Sequence, residues 1–125
     1  MACREDIDEL RNRIGVPAAF KSARWIVVAR GVADSFIPGP TDTVLSAWLP
    51  IGDEGWSTID EDLGEPGAPA TIAAPDASFE VLPEPLRASR VRGPSYSIEP
   101  FKGFRYQSGR AIRLAGGVLV AMYSS

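Results

Sequence analysis

The residues with the clearest potential for chemistry are the basic side chains of the C-terminal half. Seven arginines and lysines, and one acid, Glu99, lie between Arg87 and Arg113. Arginine in particular binds carboxylates and phosphates, because its guanidinium presents several N–H donors in one plane. We therefore take this basic segment as the candidate binding region. The candidate binding residues are Arg90, Arg92, Lys102, Arg105 and Arg113.

The rest of the chain offers little of the usual catalytic equipment. It contains no histidine and a single cysteine, Cys3. The commonest general base and metal ligand is therefore missing, and no imidazole can activate Cys3 or a serine. One thiol without imidazole also excludes the usual zinc ligand sets. No glycine-rich phosphate-binding motif occurs. We expect no cofactor and no metal, and this composition disfavours an enzyme.

Charge is divided unevenly along the chain, although the net charge is only −3. Residues 1–66 carry 12 acids and 6 bases, and residues 67–125 carry 4 acids and 7 bases. The most acidic stretch, residues 53–65, has six acids and no base. Such a division predicts two solvated surface stretches, or else a basic strip that faces anions or complementary ends of a self-associating protein.

Aromatic residues interleave with the basic ones, which is the combination used to bind single-stranded nucleic acid. Residues 102–106 resemble the start of the RNA-recognition-motif signature, but Arg105, Gln107 and Gly109 depart from it. No family is identified on these five residues. Aromatics on an alternating face normally pack inward, and the chain is acidic overall, so nucleic acid is not the expected partner.

The elements that would position these residues begin with a helix. Residues 3–14 are predicted to form it, because one side carries Cys3, Ile7, Leu10 and Ile14. Asp6 is the expected cap, and Gly15 and Pro17 end the helix.

Short strands are predicted for most of the remaining chain. Their ranges are 25–29, 43–51, 70–74, 78–82, 103–106, 110–115 and 118–123. Strand 25–29 is apolar on both faces and is predicted to lie inside the sheet. Residues 52–69 are predicted to be a long connection and residues 83–100 to be irregular or edge-like. A turn at 107–109 and a second at Gly116 and Gly117 are expected to make hairpins.

Together these features predict one α+β domain spanning residues 1–125. The N-terminal amphipathic helix packs on a mostly antiparallel sheet of about six short strands, with a small, partly open β-barrel as the alternative. No stretch is long and apolar enough to span a membrane, and one free thiol suits a reducing compartment. We expect a cytoplasmic protein that does not enter membranes.

The leading functional hypothesis is a non-catalytic binding protein, such as an inhibitor, an immunity-type protein or an assembly adaptor. It would act through its charged surface and a sheet edge on another protein, with a homodimer as one form of such an interaction. One alternative is a small-molecule binder or enzyme, with carboxylates such as Glu80 or Glu99 facing arginines between helix and sheet. A second alternative is nucleic-acid contact through the basic C-terminal hairpin.

Overall fold

The computed structural model describes residues 3–29, 43–73, 81–87 and 90–124. In these ranges the helices are α1 (Ile7–Arg13) and α2 (Trp56–Leu63). The strands are β1 (Arg24–Ala29), β2 (Thr43–Pro50), β3 (Pro69–Ala73), β4 (Arg90–Tyr96), β5 (Tyr106–Leu114) and β6 (Gly117–Ser124). Short 3-10 turns cover Asp53–Gly55, Glu84–Leu86 and Glu99–Phe101. Neither of these helices has the length and apolar character needed to cross a membrane.

The six strands form one antiparallel sheet in the order β1-β2-β6-β5-β4-β3. The C-terminal strand, β6, is inserted between β2 and β5, so it pairs on both sides. Within the described ranges no pairing joins β1 to β3. This arrangement confirms the predicted α+β class with a mostly antiparallel sheet. Residues 118–123 are nearly all apolar, which predicts an interior strand beside the 110–115 strand, and the position of β6 confirms this.

Apolar side chains cover both faces of the sheet. The first core receives Leu10 of α1 and Ile59 and Leu63 of α2. The second core, on the other face, receives Ile72 of β3 and Val91 of β4, packed with Trp48 and other apolar side chains of the central strands. Burying each such side chain contributes about 1.5–3 kcal/mol. Because both faces are covered, the central strands need no polar alternation.

Helix α1 starts later than its hydrophobic pattern predicts. The Asp6 carboxylate accepts hydrogen bonds from the backbone N–H groups of Asp8 and Glu9, at 3.1 and 3.2 Å, so Asp6 is the cap as expected. The residues before it are extended, because Arg4 exchanges backbone hydrogen bonds of 2.7 and 2.8 Å with Trp25. Cys3 therefore packs against the second core, outside the helix.

Strand β1 lies at one end of the strand order, so the prediction that it is interior is wrong. Its apolar character has another cause. Trp25 packs in the first core and Ile26 in the second, so both faces of β1 are buried. A strand that is apolar on both faces therefore indicates that both faces are covered. It does not indicate that both edges of the strand are paired with other strands.

The predicted hairpin at residues 107–109 does not form. β5 is one strand from Tyr106 to Leu114, and its register with β6 shifts between Tyr106 and Ser108. Gly109 has a φ of 152° and faces β6 so closely that a Cβ would overlap the Ala121 carbonyl oxygen. The glycine therefore marks an irregularity and a close backbone approach within a strand.

Alternation across the predicted hairpin places Phe104, Tyr106, Ile112 and Leu114 on one face, but the structure separates them. Tyr106 packs in the first core, whereas Ile112 and Leu114 pack in the second. Phe104 is 96% exposed and belongs to neither core. The second predicted turn forms one residue earlier than predicted, at Ala115 and Gly116, because Gly117 already pairs with Leu114 and Gly116 has a φ of 83°.

Two further predictions concern the middle of the chain. The prediction that residues 83–100 are irregular or edge-like is wrong for Arg90–Tyr96, because these residues form β4, which lies between β3 and β5 in the sheet. Of the predicted strand 78–82, residues 78–80 lie outside the described residues. Val81 and Leu82 are buried in a turn at the second core.

Candidate functional site

An open cleft of about 680 Å³ lies where the start of α2, strand β4 and the β5–β6 turn meet. Its walls include Asp53, Trp56, Leu86, Arg92, Arg113 and Leu114. Trp56 also packs against the first core, and Leu86 and Leu114 belong to the second. The cleft therefore lies where both cores reach the surface, and its lining combines apolar contacts with charged groups. Its volume is within the range of ligand-binding sites.

The wall that carries Trp56 is built by α2, in the stretch predicted to be a long connection. That prediction is wrong, because the 3-10 turn Asp53–Gly55 leads directly into α2. Trp56, Ile59 and Leu63 recur at helical spacing, and Ile59 and Leu63 are buried. This spacing was the available signal for the helix. The flanking glycines and the acidic run concealed it.

The opposite wall depends on a close approach of β4 to β5. In the described part of the chain, only Ser95 and Tyr96 of β4 pair with residues of β5. Gly93 lies so near β5 that a Cβ would overlap the Arg113 carbonyl oxygen. The absence of a side chain at Gly93 therefore lets Arg92 and Arg113 line the same cleft.

A polar network holds the Arg113 side chain in place. The Tyr96 hydroxyl donates to Asp60 Oδ1 at 2.8 Å. Arg113 Nη1 lies 3.4 Å from the same carboxylate oxygen and 3.3 Å from the Tyr96 hydroxyl oxygen. The guanidinium carbon lies 4.1 Å from the ring centre of Trp56. The Arg113 side chain is 31% exposed, so its ion pair with Asp60 contributes at most about 1 kcal/mol. The main effect of the network is to orient Arg113.

Burial, followed by the hydrogen bond to Asp60, raises the pKa of Tyr96 above its ordinary value. The neutral phenol is thus favoured in the folded protein. As the pH rises past about 10, the unfolded chain loses this proton first. Stability therefore falls between that pH and the higher folded-state pKa.

We expect Tyr96→Phe to lower the free energy of unfolding by about 1 kcal/mol at neutral pH, because the Asp60 carboxylate loses a donor. The variant should also show less decline in stability above pH of about 10. Urea unfolding across this pH range measures both effects. Tyr106→Phe is the control, because it removes another buried hydroxyl, 3.1 Å from Thr43 Oγ1, and leaves Tyr96 in place. An equal alkaline decline in wild type and Tyr96→Phe would contradict the prediction.

The structure brings together two of the five predicted binding residues, Arg92 and Arg113. Arg90 is exposed on β4, two residues from Arg92, but it does not line the cleft. Lys102 pairs with Glu99 at 2.8 Å, and Arg105 is exposed just before β5 begins. Arg113 lies near the other end of β5, roughly 26 Å from Arg105 at the usual rise per strand residue.

Sequence reasoning missed Trp56 and Asp60 as parts of the site. The alternative small-molecule pocket was predicted around two other carboxylates, Glu80 and Glu99. Glu99 is engaged by Lys102, and Glu80 lies outside the described residues. The carboxylates at the observed site are Asp53, on the cleft wall, and Asp60, behind Arg113. In the part of the chain that the structure describes, no three His, Cys, Asp or Glu side chains form a group that could hold a metal ion.

Comparison with protein-family models, with curated proteins and with solved structures finds no match to this chain. The site therefore has to be interpreted from its own geometry. That geometry is an open, partly apolar cleft with two arginines, one of which is held by Trp56, Asp60 and Tyr96.

Proposed function

We propose that this chain is a non-catalytic binding protein that holds a segment of another protein in the cleft between α2 and the β5–β6 turn. The observation that carries the proposal is an open cleft with apolar and arginine side chains on its walls. Exposed apolar surface rimmed by polar groups is typical of protein interaction sites. Aromatic and arginine side chains are also the types most often responsible for binding energy at such sites.

The shape of the cleft favours a chain segment over an enclosed small molecule. Sites for small molecules usually bury most of the ligand surface. Here the cleft opens to solvent along the exposed residues Arg92, Pro94 and Ala115. An extended peptide could lie along such a surface with some side chains inside and others in solvent.

The side chains at the cleft also favour binding over catalysis. Asp53 is exposed to solvent, whereas a carboxyl group that acts as a general acid or base is usually shielded from water. Asp60 is engaged by both Tyr96 and Arg113. Among the described lining residues there is no serine, cysteine, lysine or tyrosine to act as a nucleophile.

A nucleic-acid role has less support. The basic hairpin on which that alternative rested is not formed, and Arg105 and Arg113 lie near opposite ends of β5. The exposed acids Glu61 and Asp62 follow on α2, the helix whose first residue lines the cleft. A polymer with a charge on every phosphate would meet these acids if it extended along α2, whereas a segment with a single carboxylate at the arginines would not.

The test is selection of random displayed peptides on the purified protein, followed by affinity measurement with fluorescently labelled peptides. Ala115→Phe places a ring in the cleft at an exposed turn position and should weaken the selected peptides at least about tenfold, as expected for a blocked apolar contact. Thr58→Phe is the matched control, because Thr58 is exposed on α2 but does not line the cleft. The proposal fails if no peptide is enriched, or if both variants bind the selected peptides as well as wild type does.

A further inference from the structure

We infer that the segment held in the cleft is acidic and that its carboxylate is bound by Arg113 together with Arg92. This inference rests on the proposed function and specifies the chemistry of the partner. It is carried by the arrangement of donors around Arg113, by the charge of the cleft walls and by the position of Arg92.

The Arg113 guanidinium is held in one orientation, but not all of its N–H donors are used. Only its Nη1 atom is used by Asp60 and Tyr96. Nε and Nη2 form no hydrogen bond with any described residue, and the side chain remains 31% exposed at the cleft. Two adjacent N–H donors on a guanidinium match the two oxygens of a carboxylate. Since Trp56 and Asp60 already hold the side chain, little rotational freedom remains to be lost when a carboxylate binds.

Arg92 provides the second cation. It is exposed on the cleft wall, next to Gly93, whose backbone lies close against β5. Within the described residues it forms no salt bridge, so its charge is available to a ligand. The cleft lining thus holds two arginines and one acid, Asp53, although the whole chain has a net charge of −3. Because Asp60 pairs with Arg113 from behind the lining, the attraction for an acidic ligand comes from the remaining N–H donors of Arg113 and from the charge of Arg92.

The carboxylate of Asp53 on the cleft wall favours a peptide ligand over a phosphate polymer. A nucleic acid carries a negative charge on every phosphate, so it would also place charge against Asp53. A peptide can present one carboxylate to the arginines and a backbone N–H group to Asp53. Side chains such as leucine can then contact Trp56, Leu86 and Leu114.

The test compares two labelled peptides by fluorescence anisotropy with the whole chain. One contains a single glutamate between leucine and serine residues, and the other has glutamine in place of that glutamate. The glutamate peptide should bind at least about tenfold more tightly, and added salt should reduce the difference. Arg92→Gln should weaken the glutamate peptide about fivefold and leave the glutamine peptide unchanged. Arg90→Gln is the matched control, because Arg90 is exposed on the same strand outside the cleft lining.

Arg113→Lys tests the geometry of the guanidinium separately from its charge. Lysine keeps the positive charge but has neither the planar pair of donors nor the same stacking on Trp56. We expect this variant to bind the glutamate peptide about tenfold more weakly than wild type does. Full affinity in Arg113→Lys would show that Arg113 contributes only charge and would overturn its assignment as the carboxylate ligand.

The outcomes separate this inference from the proposed function. Equal binding of both peptides, abolished by Ala115→Phe, would overturn the acidic preference and leave the binding role in place. Failure of every peptide to bind at the cleft would overturn both. A single-stranded oligothymidine that binds more tightly than the glutamate peptide, and is released by Arg92→Gln, would assign the cleft to nucleic acid instead.

Discussion

Replacing Gly93 with alanine should lower the free energy of unfolding by about 3 kcal/mol, the upper part of the usual range for overpacking a tight contact. The added Cβ would overlap the Arg113 carbonyl oxygen and lie 3.3 Å from Ile112 Cγ2. The main obstacle is backbone, which cannot move aside as a flexible side chain would. Relief requires β4 to shift away from β5, and such a shift would also separate Arg92 from Arg113.

Urea unfolding of Gly93→Ala measures this loss, and peptide affinity reports the change in the cleft. Gly52→Ala is the matched control, because no atom lies within 4 Å of its added Cβ. Gly52 also has φ −77° and ψ 163°, which alanine adopts without strain. We expect this control to be unchanged or more stable by up to about 1 kcal/mol. Equal stability of the two variants would show that the approach of β4 to β5 is not tight.

Ile59→Ala should cost about 3 kcal/mol, because Ile59 is fully buried in the first core and is a main anchor of α2. Its effect on binding should be larger than its distance from the cleft suggests. Helix α2 carries both Trp56 and Asp60, which together hold Arg113. A loosened α2 would return rotational freedom to Arg113, so we expect weaker binding of the glutamate peptide even where the variant remains folded.

Thermal or urea unfolding gives the stability of Ile59→Ala, and anisotropy gives its peptide affinity. Ile59→Val is the control, since it removes one methylene and should cost only about 1 kcal/mol. It should also keep α2 docked and the peptide affinity close to that of wild type. Unchanged affinity in folded Ile59→Ala would show that Arg113 is held without the help of α2.

The elements that were predicted correctly are those whose evidence is local. Asp6 caps α1 because its carboxylate reaches two backbone N–H groups within three residues. The turn before β6 requires a glycine with positive φ, and Gly116 supplies it. β2 and β6 are apolar runs, and their bounds match the predicted strands to within one residue at each end. In each case the deciding interaction lies within a few residues of the signal.

The errors share one physical cause: the same residue type occurs in different local structures, depending on which distant residues pack against it. Gly109 and Gly116 both have positive φ, yet the first lies within a strand against β6 and the second lies in a turn. β1 is apolar on both faces because two cores cover it, although it has only one neighbouring strand in the sheet. Such distinctions depend on residues far away in the chain.

By itself, the sequence determined which chemical groups are present. It has no imidazole, more basic than acidic residues in the C-terminal half, and enough apolar residues for an α+β core. Only the tertiary structure decided which arginines line the same cleft. Arg92 and Arg113 line one cleft because Gly93 lets two backbones approach and because α2 docks Trp56 and Asp60 beside them. These are contacts between segments distant in sequence, and the strand order creates them, whereas composition and local periodicity act within single segments.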